Sequence, residues 1–295
     1  VRIVMALFII IALGTSLMGC GTDIKSDTLD NYLKDVAAIS IPEEVRIVGM
    51  GEATHGNKEF TLLKQETFQA LVKNYGYKVF ALEGDFGGCQ AVNDYIQNGA
   101  GTAEEAARAI GFAIYKTEEM VQLIEWMRQY NQTAAPTEQL KFYGFDMQRY
   151  DHNKNGLFAY IEKVDAEKAT AYKASLLDLN DATVFDQSKE KVKMGLKAIE
   201  AIIDELEQNR AQYIAKSSEQ EYELAGQYAL CIKQNATLRG TNVSYTQTRD
   251  QYMAEKVQWI MDYEKKAGNE KLFLAGHNGH IEKTSASPAG YTSMG

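Results

Sequence analysis

Four short apolar runs constrain the fold of this 295-residue chain most, because each is separated from the next by a long stretch of helical spacing. A continuous apolar run rich in Val, Ile, Phe and Leu is typical of a strand buried on both faces of a parallel sheet. The runs cover residues 45–50, 78–82, 141–145 and 271–275. We therefore predict an α/β fold, with a parallel sheet flanked by helices.

Helical spacing fills the first two intervals between these runs. Apolar residues from position 60 to 71 recur every three or four residues, and Gly76 follows where a left-handed glycine commonly ends a helix. In the second interval, residues 102–110 and 118–131 predict two further helices, and Pro136 lies in a predicted loop.

The first 20 residues predict a targeting segment that is not part of the fold. An almost unbroken apolar run over residues 3–13 ends in Leu17-Met18-Gly19-Cys20. That ending resembles the lipobox of bacterial lipoproteins, in which the cysteine is lipidated. The alternative, a transmembrane helix, would need roughly 20 apolar residues, which is more than this run supplies. We therefore expect Cys20 to carry a lipid anchor that holds the folded part in the cell envelope, outside the cytoplasmic membrane.

The third interval contains no strand pattern and is far longer than a connection between parallel strands requires. Amphipathic spacing runs through it, for example at Leu196, Ile199 and Ile203. We interpret it as an inserted helical subdomain, either a lid over the ligand-binding edge of the sheet or a bundle that stabilises its side, and we favour the lid. The predicted organisation is a signal peptide (1–20), a tether and lead-in (21–43), the first part of the core (44–152), the helical insert (153–267) and the last strand with a catalytic loop (268–295).

The composition limits the partners and the stabilising bonds of the chain. Acidic residues outnumber basic ones by 40 to 31 and no basic block occurs, so we expect no nucleic-acid partner. Cys89 and Cys231 are too few for a disulfide framework, and we interpret both as small core residues. Because four strands are few for a domain of this size, we expect the sheet to be incomplete where the chain ends at Gly295.

Ionisable residues follow every one of the four predicted strands. Because the carboxyl ends of parallel strands meet at one edge of an open sheet, where ligands bind, we expect these side chains to share a site. Any single one of them could be a turn or helix-capping residue, and Asp85 and Asp146 are more typical of that role. The residues are Glu52 and His55 after the first strand, Glu83 after the second, Asp146 after the third, and His277 and His280 after the fourth.

Two kinds of chemistry fit this set of residues. In the first, His55 is a general base whose tautomer is held by Glu52 or Glu83, while His277 and His280 stabilise an oxyanion or protonate a leaving group. In the second, the three histidines and two carboxylates bind a transition metal. The spacing of the residues leaves both open.

The same segments carry a resemblance to the erythromycin esterase family. That resemblance implies an α/β core with a helical portion over a deep cleft, and metal-independent hydrolysis of the lactone ester of 14-membered macrolides without a cofactor. It also implies that His55 is the base that activates water and that Glu52, Glu83, His277 and His280 complete the site. Because relatives continue past the last matching segment, it further implies a C-terminally truncated member. The matching segments are residues 51–56, 81–83, 125–128, 143–146, 249–255 and 277–280.

Three further residues are expected to bind the substrate on the basis of the same resemblance. Lys64 stands nine residues after His55, where well-known relatives carry an arginine, and a lysine keeps the charge but not the planar fork. Asp146 and Arg128 lie in other matching segments. The expected partner is a small-molecule ester or macrolide.

A surface lipoprotein that binds haem or a metal without catalysis is the alternative function. A distantly similar family of haem-binding lipoproteins shares a Gly-Glu-x-His type of segment at a strand end, together with the lipid anchor. Haem ligation would need only one or two of the residues above.

Overall fold

A parallel sheet lies at the centre of the computed structural model, which describes residues 34–283 and 292–295. Within this part of the chain the sheet has four strands in the order β1-β4-β2-β3, all parallel. The predicted α/β fold class is confirmed. The strands are β1 (Ile47–Glu52), β2 (Val79–Asp85), β3 (Lys141–Asp146) and β4 (Leu272–His277).

Each strand runs further toward its carboxyl end than the apolar pattern predicted. Glu52 pairs with His277 across β1 and β4, and Asp85 pairs with Asp146 across β2 and β3. The reason is that neighbouring strands continue to share backbone hydrogen bonds after the apolar residues stop. Several candidate residues are therefore the last residues of strands and are held by the sheet itself.

Helices connect the strands and cover both faces of the sheet. Those before β3 are α1 (Lys58–Tyr75), α2 (Phe86–Asn98), α3 (Ala103–Ala109) and α4 (Glu118–Thr133). Those between β3 and β4 are α5 (Asp151–Val164), α6 (Ala166–Ser175), α7 (Lys189–Gln208), α8 (Arg210–Lys216), α9 (Glu219–Gly240) and α10 (Tyr245–Lys266), and a short α11 (Asn278–Ile281) follows β4. Three-residue 3-10 turns occur at Val36–Ala38, Ala113–Tyr115 and Pro136–Glu138.

Local signals set several of these helix ends. Gly76 adopts a left-handed conformation, with φ 69°, directly after α1, as predicted. Thr102 and Glu105 form a reciprocal capping box at the start of α3. Asp85 accepts a hydrogen bond from the Gly88 N–H at the start of α2, so its interpretation as a capping residue is confirmed.

Alternate side chains of each strand pack into two different cores. Phe80 and Phe273 belong to a cluster with α1, α3 and α4 on one face, where the Phe80 and Phe142 rings stack with centroids 5.2 Å apart. Val79 and Ala81 belong to a second cluster, formed with helices between α5 and α10 on the other face. The sheet is therefore covered on both faces, which explains its continuous apolar runs.

The remaining predictions about chain organisation have mixed outcomes. Cys89 and Cys231 are buried, free thiols in these two cores, as interpreted. Cys20 and the rest of the expected lipoprotein signal lie outside the described residues. Across positions 34–283 and 292–295, no helix combines the length and apolar content that crossing a membrane requires.

Candidate active site

Glu52, the last residue of β1, joins His55 and Lys64. Its Oε1 lies 2.6 Å from His55 Nδ1, and its Oε2 accepts a hydrogen bond of 2.6 Å from Lys64 Nζ. The turn after β1 returns the chain to α1, so that Lys64 reaches back from that helix to the end of the strand. Glu52 and Lys64 are only 4% and 3% exposed. A buried ion pair with both oxygens occupied holds the carboxylate, and therefore the imidazole, in one orientation.

His55 presents one free ring nitrogen to the cleft. A carboxylate at Nδ1 requires a proton there, which leaves Nε2 as the basic nitrogen. Among the described residues Nε2 has no hydrogen-bond partner, and the side chain is 37% exposed. His55 therefore has the geometry of an oriented general base that can accept a proton from water.

His277 is the last residue of β4, and both of its ring nitrogens form hydrogen bonds with backbone groups. Its Nδ1 accepts a hydrogen bond of 3.1 Å from the Gly279 N–H, so Nε2 carries the proton and donates to the Ala53 carbonyl at 3.1 Å. Its ring centroid lies 5.1 Å from that of His55. This pairing fixes a neutral tautomer and ties the end of β4 to the turn that carries His55.

His280 lies in the short α11 and is held by two residues of α10. Its Nδ1 lies 2.5 Å from Asp250 Oδ1, and its Nε2 lies 3.1 Å from Arg249 Nη1 and 3.4 Å from Glu83 Oε1. Because a guanidinium only donates, Nε2 accepts from Arg249 and Nδ1–H donates to Asp250. His280 is thus oriented by the helical segment between β3 and β4.

Arg249 is bound by two buried carboxylates at the carboxyl ends of β2 and β3. Its Nη2 donates to Glu83 Oε1 at 2.9 Å and to Asp146 Oδ2 at 2.7 Å, and its Nε donates to Asp146 Oδ1 at 3.2 Å. The second oxygen of Glu83 accepts the His277 N–H at 2.8 Å. Every charge in this group has an opposite partner, as buried ions require.

These contacts set the charge states of the group. Burial alone would raise the pKa of Glu83, but the charge and hydrogen bond of Arg249 and the hydrogen bond from the His277 N–H act in the opposite direction, and the pKa lies below its usual value of 4.5. Burial alone would lower the pKa of Arg249, but Asp146 and Glu83 raise it. Both side chains are therefore ionised near neutral pH.

The lowered pKa of Glu83 predicts acid sensitivity. Since the folded-state pKa lies below the unfolded value, the ionised side chain stabilises the fold above pH 4.5, and this contribution is lost as pH falls through the folded-state value. We expect the free energy of urea unfolding to decrease below pH 4.5, and Glu83→Gln to weaken that decrease. Glu138→Gln, at an exposed carboxylate, is the control and should leave the dependence unchanged. An identical pH dependence in wild type and Glu83→Gln would contradict the assignment.

A cleft of about 380 Å³ opens over these side chains, within the usual range for a small-molecule site. Phe112, Ala113 and Ile114, from the segment between α3 and α4, form an apolar wall, and Gln148 lies on another side. Two larger cavities lie elsewhere on the described surface, and neither is lined by a histidine. The chemistry of the lining residues therefore identifies this cleft as the candidate site. The ionisable side chains that line it are His55, Glu83, Asp146, Arg249, His277 and His280.

The residues predicted to bind substrate do not all reach this cleft. Lys64 lies behind Glu52 and is bonded to it, and both oxygens of Asp146 are engaged with Arg249. Arg128 is not brought to the cleft at all, because its Nη1 donates to the Gln97 carbonyl at 2.9 Å, near the end of α2. Arg128 thus lies between α2 and α4, and the expectation that it binds substrate stays a prediction.

Two residues of the site were not predicted as such. Arg249 and Asp250 lie in α10, far along the chain from the strand ends that they contact. Their only sequence signal was the matching segment 249–255. An amphipathic helix pattern alone does not distinguish an arginine that faces a buried carboxylate from one that faces water.

The metal-binding alternative depends on convergent donors. In the ranges 34–283 and 292–295, no three His, Cys, Asp or Glu side chains are arranged to hold a metal ion. The ring nitrogens of His277 are committed to backbone groups and those of His280 to Asp250 and Arg249. Apart from His55 Nε2, the histidine nitrogens that the sequence offered as metal ligands are thus engaged in hydrogen bonds within the protein.

Comparison with known proteins identifies related sequences and folds. A family model described as Erythromycin esterase matches residues 72–295. The chain is 26% identical over 281 residues to "Erythromycin esterase type II" of Escherichia coli, covering 86% of this chain and 65% of that protein. It is 27% identical over 261 residues to "Putative hydrolase YbfO" of Bacillus subtilis, covering 81% of this chain and 56% of that protein.

A solved structure shows the same fold. It is the open conformation of a histidine-to-asparagine mutant of the erythromycin esterase EreC, with a TM-score of 0.65 and 19% identity. The alignment covers 86% of this chain and 66% of that one. The chain thus spans between 56% and 66% of the length of these relatives.

Proposed function

Since the chain belongs to the erythromycin esterase family, we propose that it is a hydrolase that opens a carboxylic ester or lactone with water activated by His55. The observation that carries this proposal is the Glu52–His55 pair, which leaves Nε2 free at the edge of the cleft. An imidazole that is oriented by a carboxylate and faces a cavity is the arrangement that general-base catalysis requires. The relatives named as an esterase and a putative hydrolase support the same reaction class.

The proposed reaction begins with proton transfer from water to His55 Nε2. The resulting hydroxide attacks the carbonyl carbon, and the carbonyl oxygen becomes an oxyanion. Arg249 can stabilise this charge, because it lines the cleft and, in the described part of the chain, its four hydrogen bonds to Asp146, Glu83 and His280 leave one Nη1 N–H free to donate. The imidazolium of His55, held by Glu52, then returns the proton to the departing alkoxide. Acid and alcohol result, and no metal takes part in any step.

The finer proposal is a macrolactone substrate. The Escherichia coli relative and the family carry the name of an esterase of erythromycin, a macrolactone. Lys64, in place of the arginine of well-known relatives, balances the charge of Glu52 from behind and does not select the substrate by contact.

Incubation of the purified chain with erythromycin and with a series of 4-nitrophenyl esters tests the proposal. Mass spectrometry should show a gain of one water in at least one substrate, and the activity should survive strong chelation. Wild-type turnover equal to the buffer blank for every ester and lactone would contradict the proposed reaction. Activity that disappears on chelation and returns with a divalent metal would instead support a metallohydrolase.

We also propose that a lipid on Cys20 anchors the protein outside the cytoplasmic membrane. The apolar run and the lipobox-like Leu17-Met18-Gly19-Cys20 support this. Replacing Cys20 by alanine should prevent lipid attachment, so incorporation of radiolabelled palmitate should be lost. Cys89→Ala is the matched control, because this thiol is buried in the core. Equal labelling of the wild type and Cys20→Ala would contradict the anchor.

A further inference from the structure

In the part of the chain that the structure describes, Arg149, which follows the cleft residue Gln148, and Arg239 have no carboxylate within ion-pair distance. Within the described residues, neither Arg149 nor Arg239 forms an ion pair within 4.0 Å, although the chain carries 40 acidic residues against 31 basic ones. By contrast, Arg46 and Arg210 pair with neighbouring glutamates. Two unpaired guanidiniums close together in an acidic protein repel each other, and an added anion would remove that repulsion.

Phe185 joins the two arginines. The Arg149 Cζ lies 5.7 Å from the centre of its ring and the Arg239 Cζ lies 5.0 Å from it, so the two guanidinium carbons are at most about 11 Å apart. The ring itself is 74% exposed. An exposed aromatic ring with two cationic neighbours presents an apolar surface and positive charge at one place.

Each of these guanidiniums has an unsatisfied donor. Arg149 Nε and Arg239 Nη2 are buried and have no hydrogen-bond partner in the described part of the chain. The Nε of Arg239 donates to Asn235 Oδ1 at 2.8 Å, which holds that side chain in place. Buried N–H groups are normally paired, so these two unpaired donors leave hydrogen-bonding capacity that an anionic ligand could use.

The nearby carboxylates are committed elsewhere. Asp181 lies close enough to Arg149 to interact electrostatically but not within ion-pair distance, and its Oδ1 accepts the Tyr150 N–H at 2.6 Å. Burial raises the pKa of Asp181. Asp151 accepts the Asp181 N–H and pairs with Lys154. Within the described residues, neither carboxylate therefore lies within ion-pair distance of Arg149 or Arg239.

This group of residues is continuous with the cleft. Arg149 Cζ lies 5.2 Å from the centre of the Phe112 ring, and Phe112 lines the cleft. Gln148, the residue before Arg149, also lines the cleft and hydrogen-bonds the Tyr245 hydroxyl at 2.5 Å. A ligand whose ester reaches His55 could thus place another part beside Arg149.

We propose that Arg149 and Arg239 form an oxyanion subsite at the side of the cleft, so that the substrate carries a carboxylate or phosphate beside an apolar portion that packs on Phe185. The assignment of this anion to a substrate rests on the proposed hydrolase function, whereas the binding of the anion does not. Carboxylate and phosphate share the planar or near-planar oxygen pairs that a guanidinium fork binds.

Isothermal titration of the full chain with 4-phenylbutyrate, phenyl phosphate and the neutral 4-phenylbutanamide tests the subsite. We expect at least one anion to bind about 10-fold or more tightly than the amide, and added salt to weaken it. The tighter of the two anions identifies carboxylate or phosphate as the ligand group. Equal affinity for the anions and the amide, or no binding of either anion, would overturn the proposal.

Substitutions distinguish anion binding at Arg149 and Arg239 from a general effect of removing a positive charge. Arg149→Gln and Arg239→Gln should each abolish the preference for the anion, and the corresponding lysine variants should retain part of it. Arg210→Gln is the matched control, because Arg210 also stacks on an aromatic ring, Tyr222, but is paired with Glu219. Thermal unfolding checks that each variant is folded. An anion preference that survives in the folded Arg149→Gln and Arg239→Gln double variant would contradict the assignment.

A kinetic comparison distinguishes this proposal from the hydrolase itself. 4-Nitrophenyl hemiglutarate and 4-nitrophenyl pentanoate have the same chain length and differ in a terminal carboxylate. We expect a lower KM for the charged ester, and Arg149→Gln to raise that KM alone. If neither ester is cleaved while the anion still binds, the proposed function fails and the subsite stands.

Discussion

Replacing His55 by alanine is expected to lower kcat for a cleaved ester by about 10²- to 10⁴-fold, the range that general-base catalysis contributes. The reason is that His55 Nε2 is the ring nitrogen without a partner among the three histidines of the described cleft. His55 is also partly exposed, so its removal should cost little stability. Steady-state kinetics of the purified variant, with circular dichroism to confirm folding, provide the measurement.

His152→Ala is the control for this experiment. His152 lies in the first turn of α5 and is not among the residues that line the cleft. It should retain wild-type turnover. Wild-type kcat in a folded His55→Ala protein would show that another group activates water.

Replacing Arg249 by methionine is expected to destabilise the protein by about 3–5 kcal/mol, the usual cost of removing one partner of a buried ion pair. The substitution keeps much of the side-chain volume but leaves Glu83 and Asp146 buried together without their cation. Two neighbouring carboxylates without a cation repel each other, and protonation relieves that repulsion. The loss should therefore be largest at neutral pH and smaller in acid. Urea unfolding at several pH values gives the free energies.

Arg46→Met provides the comparison for a surface ion pair. Arg46 and Glu270 are about half exposed, and such a pair contributes about 0–1 kcal/mol. Arg249→Met should also lose activity, because His280 loses its donor at Nε2. An Arg249→Met protein as stable as Arg46→Met would mean that the two carboxylates do not depend on the arginine.

The parallel topology made a large part of this site predictable. Continuous apolar runs indicated buried strands, and strands of one direction bring their carboxyl ends together. Glu52 and His277 consequently lie side by side in register, although 224 residues separate them. The exact strand ends were not predictable, since backbone pairing with a neighbour extends a strand beyond its apolar residues.

The contribution of the helices was less accessible from the sequence. Arg249 enters the site because the first turns of α10 lie at the carboxyl end of β3, which no local pattern indicates. The sequence also does not show that His55 has a free ring nitrogen whereas His277 has none. That difference arises because the Ala53 carbonyl and the Gly279 N–H bind the two ring nitrogens of His277. A family match likewise does not say whether a residue binds a ligand or a helix end, and in this structure Arg128 contacts the end of α2.

The segment between β3 and β4 takes part in the site as well as in the core. It packs on one face of the sheet, and through Arg249 and Asp250 it also holds Glu83, Asp146 and His280. Its predicted role as a lid would require movement of α10 relative to the sheet. Such a movement would break the buried ion pairs of Arg249 with Glu83 and Asp146.

Chemical rescue of His55→Gly by imidazole tests the central claim most directly. The substitution leaves a space beside Glu52 that imidazole can enter, with its N–H toward the carboxylate and its other nitrogen toward water. The account predicts that turnover of a cleaved ester is nearly lost in His55→Gly and rises with imidazole concentration. The wild type and His152→Gly should not respond. Undiminished turnover of His55→Gly without imidazole would contradict the role of His55 as the base that activates water.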